Sequence, residues 1–363
     1  MSKHGRILVA MSGGVDSSVA AVMLHEQGYE VIGLTMKTWD YASAGGSSKE
    51  TGCCSLDSIN DARALAVAYG FPHYILDIRN EFGDFVIDNF VDEYLAGRTP
   101  NPCVLCNTHI KWEALLKRAD KLDCEFIATG HYANIRLQPE NNRYVISKGR
   151  DEHKDQSYVL WGVSQQNLAR TKFPLGSFTK AEIRQMALEM GQVELAHKSE
   201  SYEICFVPDN DYRAFLRHKV DDLDARVAGG DFVLTDGTVV GKHQGYPFYT
   251  IGQRKGLGIA LGQPMFVTHI DPATNRVTLG TQDELKRSVA FVKNLNLVKY
   301  EHIIQPLEAV TKIRYKDAGT TSTIVQDGEL MKIDFHHAVS GIAPGQSAVF
   351  YEGNDLLGGG FLI

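Results

Sequence analysis

Ala10-Met11-Ser12-Gly13-Gly14-Val15-Asp16-Ser17-Ser18 is the stretch that decides the fold. An apolar run, Arg6 to Met11, leads into it. A helical pattern leads out, Asp16 to Gln27, with Val15, Val19, Val22 and Met23 on one face and Gly28 as the stop. Gly13 and Gly14 permit a tight turn with exposed N–H groups. Ser12, Ser17 and Ser18 add hydroxyl donors, and the helix start adds the positive end of its dipole. Strand, turn and helix together predict a pocket for pyrophosphate or polyphosphate. Asp16 would repel a bare phosphate, and a Mg²⁺ bridging it to the phosphates removes the conflict. The string is neither G-x-x-x-x-G-K-[ST] nor G-x-G-x-x-G. An N-capped helix after a glycine turn is the plainer reading, and the full S-G-G-x-D-S-S string favours the phosphate pocket.

Around this stretch strand and helix signals alternate. Glu30–Met36, His73–Ile78 and Glu125–Thr129 read as strands. Asp57–Tyr69, Phe82–Ala96 and Lys111–Lys121 read as helices. That alternation predicts a parallel, doubly wound α/β sheet with its ligands beyond the carboxyl ends of the strands. Three segments lie there: Ser12–Ser18, Met36–Trp39 and Gly130-His131. Tyr41–Thr51, rich in Ser and Gly, reads as a mobile loop. Tyr132–Leu137 and Arg143–Ser147 read as a hairpin, Thr179-Lys180-Ala181-Glu182 as a capping box, and Asp209–Lys219 as a short helix. After about residue 225 helical periodicity gives way to short β-type runs, with Asp236-Gly237 and Asp327-Gly328 as hairpin turns. The expected organisation is three units. Residues 1–220 form the nucleotide-binding catalytic domain, 221–286 a small β-rich central domain, and 287–363 a C-terminal β-barrel.

The chain has 363 residues, and 44% hydrophobic content with 22% charged excludes wholesale disorder. Its net charge of −7 excludes a generic nucleic-acid coat, so any RNA partner must meet a local basic surface. The N-terminal apolar run is too short for a signal peptide, and no stretch reaches the ~20 apolar residues of a membrane span. A cytoplasmic protein with no membrane partner is expected. Six cysteines are too few for a disulfide scaffold, so those that matter are nucleophiles, redox partners or metal ligands.

Arg98-Thr99-Pro100-Asn101-Pro102-Cys103-Val104-Leu105-Cys106-Asn107 is the second strong feature. The prolines stiffen a loop, and the Cys-x-x-Cys is expected at the mouth of the helix that follows, where a helix N-terminus favours the Cys106 thiolate. A structural zinc site lacks a second ligand pair. An inert buried pair and a reactive or cluster-binding pair both remain open. Cys205 lies among apolar neighbours, Ile204 and Phe206-Val207, which by themselves favour a packed core thiol. Cys53 and Cys54 follow the Ser/Gly loop, and Cys124 opens a strand and reads as buried and inert.

The Ala10–Ser18 string resembles the PP-loop of the N-type ATP pyrophosphatases, which adenylate a carbonyl oxygen and release pyrophosphate. Nearly the whole chain resembles the tRNA-specific 2-thiouridylase (MnmA) family. The motifs are Ala10–Ser18, Gly33–Met36, Gly97–Asn107, Thr129–Tyr132, Lys154–Tyr158, Glu203–Val207, Thr250–Gly258 and Pro344–Gln346. The resemblance implies a HUP-like PP-loop domain that makes 2-thiouridine at the wobble position of tRNA. It implies that ATP, with Mg²⁺, sits on Ala10, Met11, Ser12, Gly13, Gly14, Val15, Asp16 and Ser17, with Met36 and Gly130 around the adenosine. It implies that Cys205 carries a persulfide from a sulfur-donor protein, a cysteine desulfurase or a relay from one. Cys106 then releases the sulfur through a transient disulfide. Asn101, Pro102 and Cys103 would face the flipped uridine. His131, Lys154, Asp155, Gln156, Arg314, Tyr315 and Gln346 would touch tRNA. Some members carry an acid at the position of Cys103, where it is the candidate for proton transfer. With cysteine there, Cys103, Cys106 and Cys205 could instead hold a 4Fe–4S cluster, the alternative to the persulfide route. His131 is read either as a general base or as a positioning or RNA-contacting group. The cations of residues 98–121 (Arg98, Lys111, Lys117, Arg118, Lys121), Gln253–Gly256 and Arg314-Tyr315-Lys316 supply local basic character.

Overall fold

Four of the strands that build the first sheet come from the expected alternation: β1 (Arg6–Ala10), β2 (Glu30–Lys37), β3 (His73–Asp77) and β4 (Phe126–Ala128). The computed structural model describes residues 2–39, 55–198 and 204–363. The Tyr41–Thr51 segment, Cys53 and Cys54 lie outside these. β1 pairs in parallel with β2 and with β4, from Arg6 opposite Glu30 and Ile7 opposite Phe126. Ile7, Leu8 and Val9 are wholly buried, as a strand covered on both faces requires. A hairpin, β5 (Ala133–Gln138) and β6 (Arg143–Lys148), precedes the two-residue β7 (Thr171–Lys172). The sheet order is β3-β2-β1-β4-β7. The chain therefore steps outward from β1 to β3 and returns on the other side at β4. The crevice between the ends of β1 and β4 is the switch point where α/β sheets hold ligands. β7 was not anticipated, because two residues carry no periodicity.

Two helical runs depart from plain α geometry. Arg79–Phe82, Gly83–Ile87 and Asp88–Leu95 form one run whose middle is a π-stretch. Pro102–Leu105, Cys106–Lys111 and Trp112–Lys121 form another, again with a π-stretch in the middle. The two π-stretches pack against each other. Such stretches are rare and concentrate at functional sites. The second run corrects the expectation of a helix beginning at Lys111. Pro102 occupies the first helical turn, where its missing N–H costs nothing.

β8 (Asp231–Leu234), β9 (Val239–Lys242), β10 (Phe266–Asp271) and β11 (Arg276–Gly280) form the central sheet, ordered β10-β11-β8-β9. It packs Phe232, Val267 and Val277 into one core with Phe82, Phe90, Phe206 and Phe215. β12 (Lys286–Leu297), β13 (Leu307–Lys312), β14 (Thr320–Asp327), β15 (Leu330–Ser340), β16 (Ser347–Glu352) and β17 (Asp355–Leu362) form an antiparallel barrel, closed by pairing of β12 with β17. The β5–β6 hairpin leaves the first sheet and joins the barrel beside β17. Asp355 anchors it, accepting from Arg136 at 2.8 and 2.7 Å, Ser147 at 2.8 Å and Lys299 at 2.7 Å. β17 escapes the sequence reading because Gly358-Gly359-Gly360 depresses strand propensity. Val349, Tyr351 and Leu356 of the barrel share a core with Trp112, Tyr158 and Trp161.

Candidate active site

The Val15–Glu26 helix starts at Gly14 without a side-chain cap. By contrast Ser55 caps the Leu56–Tyr69 helix, and Thr179 with Glu182 forms the expected capping box. The first N–H groups behind Gly14 have no intrahelical partner, which is what an anion needs. Ser17 is tied into the turn: its hydroxyl accepts from the Ser12 N–H at 3.0 Å and lies 3.2 Å from both Ser12 Oγ and Gly14 O. Gly130, at the end of β4, abuts this turn. A Cβ there would lie 2.8 Å from the Ser17 nitrogen, so only glycine allows the approach. Met11 is buried and β1 ends at Ala10. Met36 is half-buried near the end of β2.

Asp16 does not stand open. Lys180 Nζ bonds both of its carboxylate oxygens at 2.7 Å, and the Tyr132 hydroxyl donates to Oδ1 at 2.7 Å. The Lys180 side chain is only 10% exposed and the Asp16 side chain 32%, so the pair is partly shielded from water. Lys198 reaches the loop from the other side, donating to Gly13 O at 2.9 Å and Asp61 Oδ2 at 2.6 Å. Sequence reasoning placed Lys180 in the capping box and Tyr132 in the Thr129–Tyr132 motif, but gave neither them nor Lys198 a role at the phosphate loop, since their partners there lie far away in the chain.

The thiols sit differently from the expectation. Cys103, not Cys106, lies in the first helical turn, because the helix begins at Pro102. Cys106 opens the π-stretch and is buried in the same core cluster as Phe206 and Val207. Those two residues follow Cys205, which is itself exposed. The apolar neighbours of Cys205 are thus the packed residues and the thiol faces out, which corrects the core-thiol reading. Cys103 keeps an open face. Desolvation pushes its thiol up, with the Lys111 charge pulling the other way. Cys124 is buried and raised to about 11, first by desolvation.

His131 packs beside Trp112 and Phe173, with ring centroids at 5.8 and 6.1 Å, and its Nδ1 is 2.7 Å from Thr129 Oγ1. Burial, then the Lys111 charge, drives its imidazole down to about 3. It is neutral at physiological pH and a weak base, so of the two readings the structure favours a positioning or contact role. Lys111 was counted only as local basic character, yet its charge reaches both Cys103 and His131.

Among the residues expected at tRNA, Arg314 and Tyr315 are exposed and Lys154 is half-buried. Asp155 is buried, accepting from Gly149 N, Ser157 N and Ser157 Oγ at 3.1, 3.1 and 2.9 Å. Gln156 accepts from Tyr132 N at 3.0 Å. Tyr315 donates to the Asp155 carbonyl at 3.1 Å. Burial raises its phenol. The bond ties the barrel to the segment that carries Lys154 and Gln156. Gln346 donates to the carbonyls of Pro100 and Thr99 at 2.7 and 3.3 Å. Asn101 points its amide at Ser347 Oγ and the Tyr158 hydroxyl, at 3.3 and 3.5 Å. Pro102 is buried behind Cys103.

Among the described residues no three His, Cys, Asp or Glu side chains gather to hold a metal. Cys103, Cys106 and Cys205 are all described, and they do not form such a group in this structure. No helix among the described residues is long and apolar enough to cross a membrane.

Family models match the chain in three consecutive stretches. Residues 5–209 match a tRNA methyl transferase HUP domain, 215–281 a tRNA methyl transferase PRC-barrel domain, and 287–362 an aminomethyltransferase beta-barrel domain. The chain is 68% identical to the tRNA-specific 2-thiouridylase MnmA of Cytophaga hutchinsonii, covering 100% of this chain and 98% of that protein. It is 66% identical to the namesake from Amoebophilus asiaticus, over 99% and 96% of the two chains. Identity with the one from Salinibacter ruber is 59%, over 100% and 95%. With an uncapped phosphate loop, a helix that carries Cys103 and Cys106, and full-length identity of this order, the chain belongs to the tRNA-specific 2-thiouridylase family.

Proposed function

We propose that this protein is an ATP-dependent tRNA-uridine 2-sulfurtransferase that converts the wobble uridine of tRNA to 2-thiouridine. The observation that carries the reading is an uncapped phosphate loop in the same α/β unit as Cys106, which is buried against Phe206 and Val207, the two residues that follow the exposed Cys205. The family models carry the words methyl transferase. A methyl donor has no use for a polyphosphate cradle or paired thiols, whereas thiolation uses both.

ATP is a substrate here. Its phosphates lie on Ala10 to Ser17, with Met36 and Gly130 beside the adenosine, and Mg²⁺ accompanies them to offset their charge. The uridine O2 attacks the α-phosphorus and pyrophosphate leaves, making O2 part of a leaving group. A persulfide on Cys205, loaded by a cysteine desulfurase or its relay, attacks C2 through its terminal sulfur and AMP departs. The Cys106 thiolate then attacks Cys205 Sγ. The S–S bond to the nucleoside breaks, its electron pair stays with the 2-thiouridine sulfur, and a Cys106–Cys205 disulfide remains for an external thiol to reduce. Asn101, Pro102 and Cys103 line the uridine pocket, and Cys103 is the candidate for proton transfer there. His131, Lys154 and Arg314-Tyr315 face the RNA. Asp155 and Gln156 support that face through their internal hydrogen bonds. The working unit is residues 1–220 for chemistry, with 221–286 and 287–363 as central and barrel domains. The need for ATP, tRNA and reducing thiols places it in the cytoplasm.

The test is tRNA thiolation with a persulfide donor, scored alongside tRNA-dependent pyrophosphate release. Cys205→Ser should release pyrophosphate and make no 2-thiouridine. Cys106→Ser should stall with tRNA linked through sulfur to the protein. Full thiolation by the double variant would sink the two-cysteine route.

A further inference from the structure

The Gly13–Gly14 peptide is the least constrained unit of the phosphate loop. Neither residue has a Cβ, so in an isolated chain the peptide turns over freely. In the fold Gly13 takes φ +69, and a Cβ there would collide with the Ser58 carbonyl. The Gly13 carbonyl is held from 185 positions away. Lys198 Nζ donates to Gly13 O at 2.9 Å, to Ser58 Oγ at 3.3 Å and to Asp61 Oδ2 at 2.6 Å. Ser58 and Asp61 belong to the Leu56–Tyr69 helix, whose first turn is closed by Ser55 accepting from Ser58 N. The backbone of Lys198 is anchored too. It follows the Val193–His197 helix, whose Ala196 is buried with Val15, Val19 and Ala20 of the helix behind the loop. Arg184 also donates to Ala196 O at 3.1 Å. A trans peptide is planar, with its C=O and N–H on opposite sides. Fixing Gly13 O on Lys198 therefore aims the Gly14 N–H away from Lys198.

We infer that Lys198 is a positioning residue that locks the Gly13–Gly14 peptide with its N–H presented to the phosphates of ATP, without itself touching the nucleotide. This rests on reading the loop as the ATP site. A Walker A loop places its lysine on the phosphates directly. Here the ammonium has three donors and three protein acceptors, so holding Gly13 leaves no N–H for a phosphate. Its contribution is to fix a backbone donor in place before the anion arrives, which spares ATP binding the cost of ordering a glycine peptide.

Lys198→Met, Lys198→Arg and Asp61→Asn test this in the full chain, each with a melting curve to confirm folding. Hydrogen exchange of residues 12–18 is followed without nucleotide, and tRNA-dependent pyrophosphate release gives the kinetic constants for ATP and tRNA. The lock predicts that 12–18 exchange about tenfold faster in Lys198→Met while β1 keeps its rate. It also predicts a kcat/KM for ATP about tenfold lower, with the tRNA KM little changed. Lys198→Arg, which can still donate to Gly13 O and Asp61, should recover most of both. Asp61→Asn should show the same pattern more weakly, and it decides by the same two readings if Lys198→Met does not fold. Unchanged exchange with a lowered kcat/KM would make Lys198 a direct phosphate ligand and overturn the lock. An unchanged kcat/KM for ATP would overturn it outright. Wild-type protein that releases no pyrophosphate would instead count against the loop as the ATP site, so the two failures are distinguishable.

Discussion

His131 and Lys180 show how single side chains carry the environment of the site. In the unfolded chain an imidazole takes its proton near pH 6.5, and in the folded chain not until about 3. Between those values the unfolded state holds more protons, so stability is lost as pH falls from 6.5 toward 3. Urea midpoints measured from pH 7.5 down to 5 should fall in the wild type and fall less steeply in His131→Asn. The same depressed value means that no limb of the pH–rate profile near 6.5 belongs to His131, and a limb that vanished in His131→Asn would contradict this. Lys180→Met leaves Asp16 without its charge partner beside the phosphate loop. Removing one partner of a shielded pair costs more than the pair contributes. Because Asp16 is about a third exposed, a loss of about 1–3 kcal/mol is expected, with a raised KM for ATP. An unaltered urea midpoint would show that the pair is solvated in solution.

The β5–β6 hairpin is the element whose place the local sequence could not reveal. Its alternation was readable, but its attachment to the barrel rests on Asp355, 219 residues from Arg136. The Arg136 hydrogen bonds, opposed by burial and aided by Lys299 and Ser147, hold the Asp355 carboxyl well below the usual carboxylate range. That stabilisation is complete above about pH 4 and is lost as pH falls through the depressed value. Asp355→Asn should lower stability by about 2 kcal/mol at pH 7, and by less at pH 3, in denaturant titrations. An equal loss at both values would mean the charge is not what holds the hairpin. The helix bearing the thiols makes the same point. Its apolar periodicity after Lys111 was legible, but the preceding turns, with their π-stretch, form only because Val104, Cys106 and Ile110 find partners in two different cores.

At the scale of the molecule, the three units share cores instead of hanging on linkers. Cutting at residue 286 removes Val349, Tyr351 and Leu356 from around Trp112 and Tyr158, so the 1–286 fragment should melt well below the full chain or aggregate in calorimetry. With a chain of net charge −7, tRNA affinity must come from placed cations. Arg314→Ala should weaken tRNA binding and reduce the slope of log K against log salt by about 0.7, the increment for one single-strand phosphate; an unchanged slope would take Arg314 off the RNA path. By itself the sequence determined the α/β alternation, the phosphate loop, the β-rich second half and the family, because turns, periodicities and adjacent motif residues are encoded locally. Only the tertiary structure decided which thiol is buried, that Lys180 and Lys198 grip the phosphate loop, that His131 is neutral, and that Gln346 bonds the carbonyls of Thr99 and Pro100. Those facts depend on pairs of residues such as Asp16 with Lys180 or Pro100 with Gln346, 164 and 246 positions apart, whose meeting no local pattern records. Burial and charge at the site are properties of such meetings, so they exist only once the chain has folded.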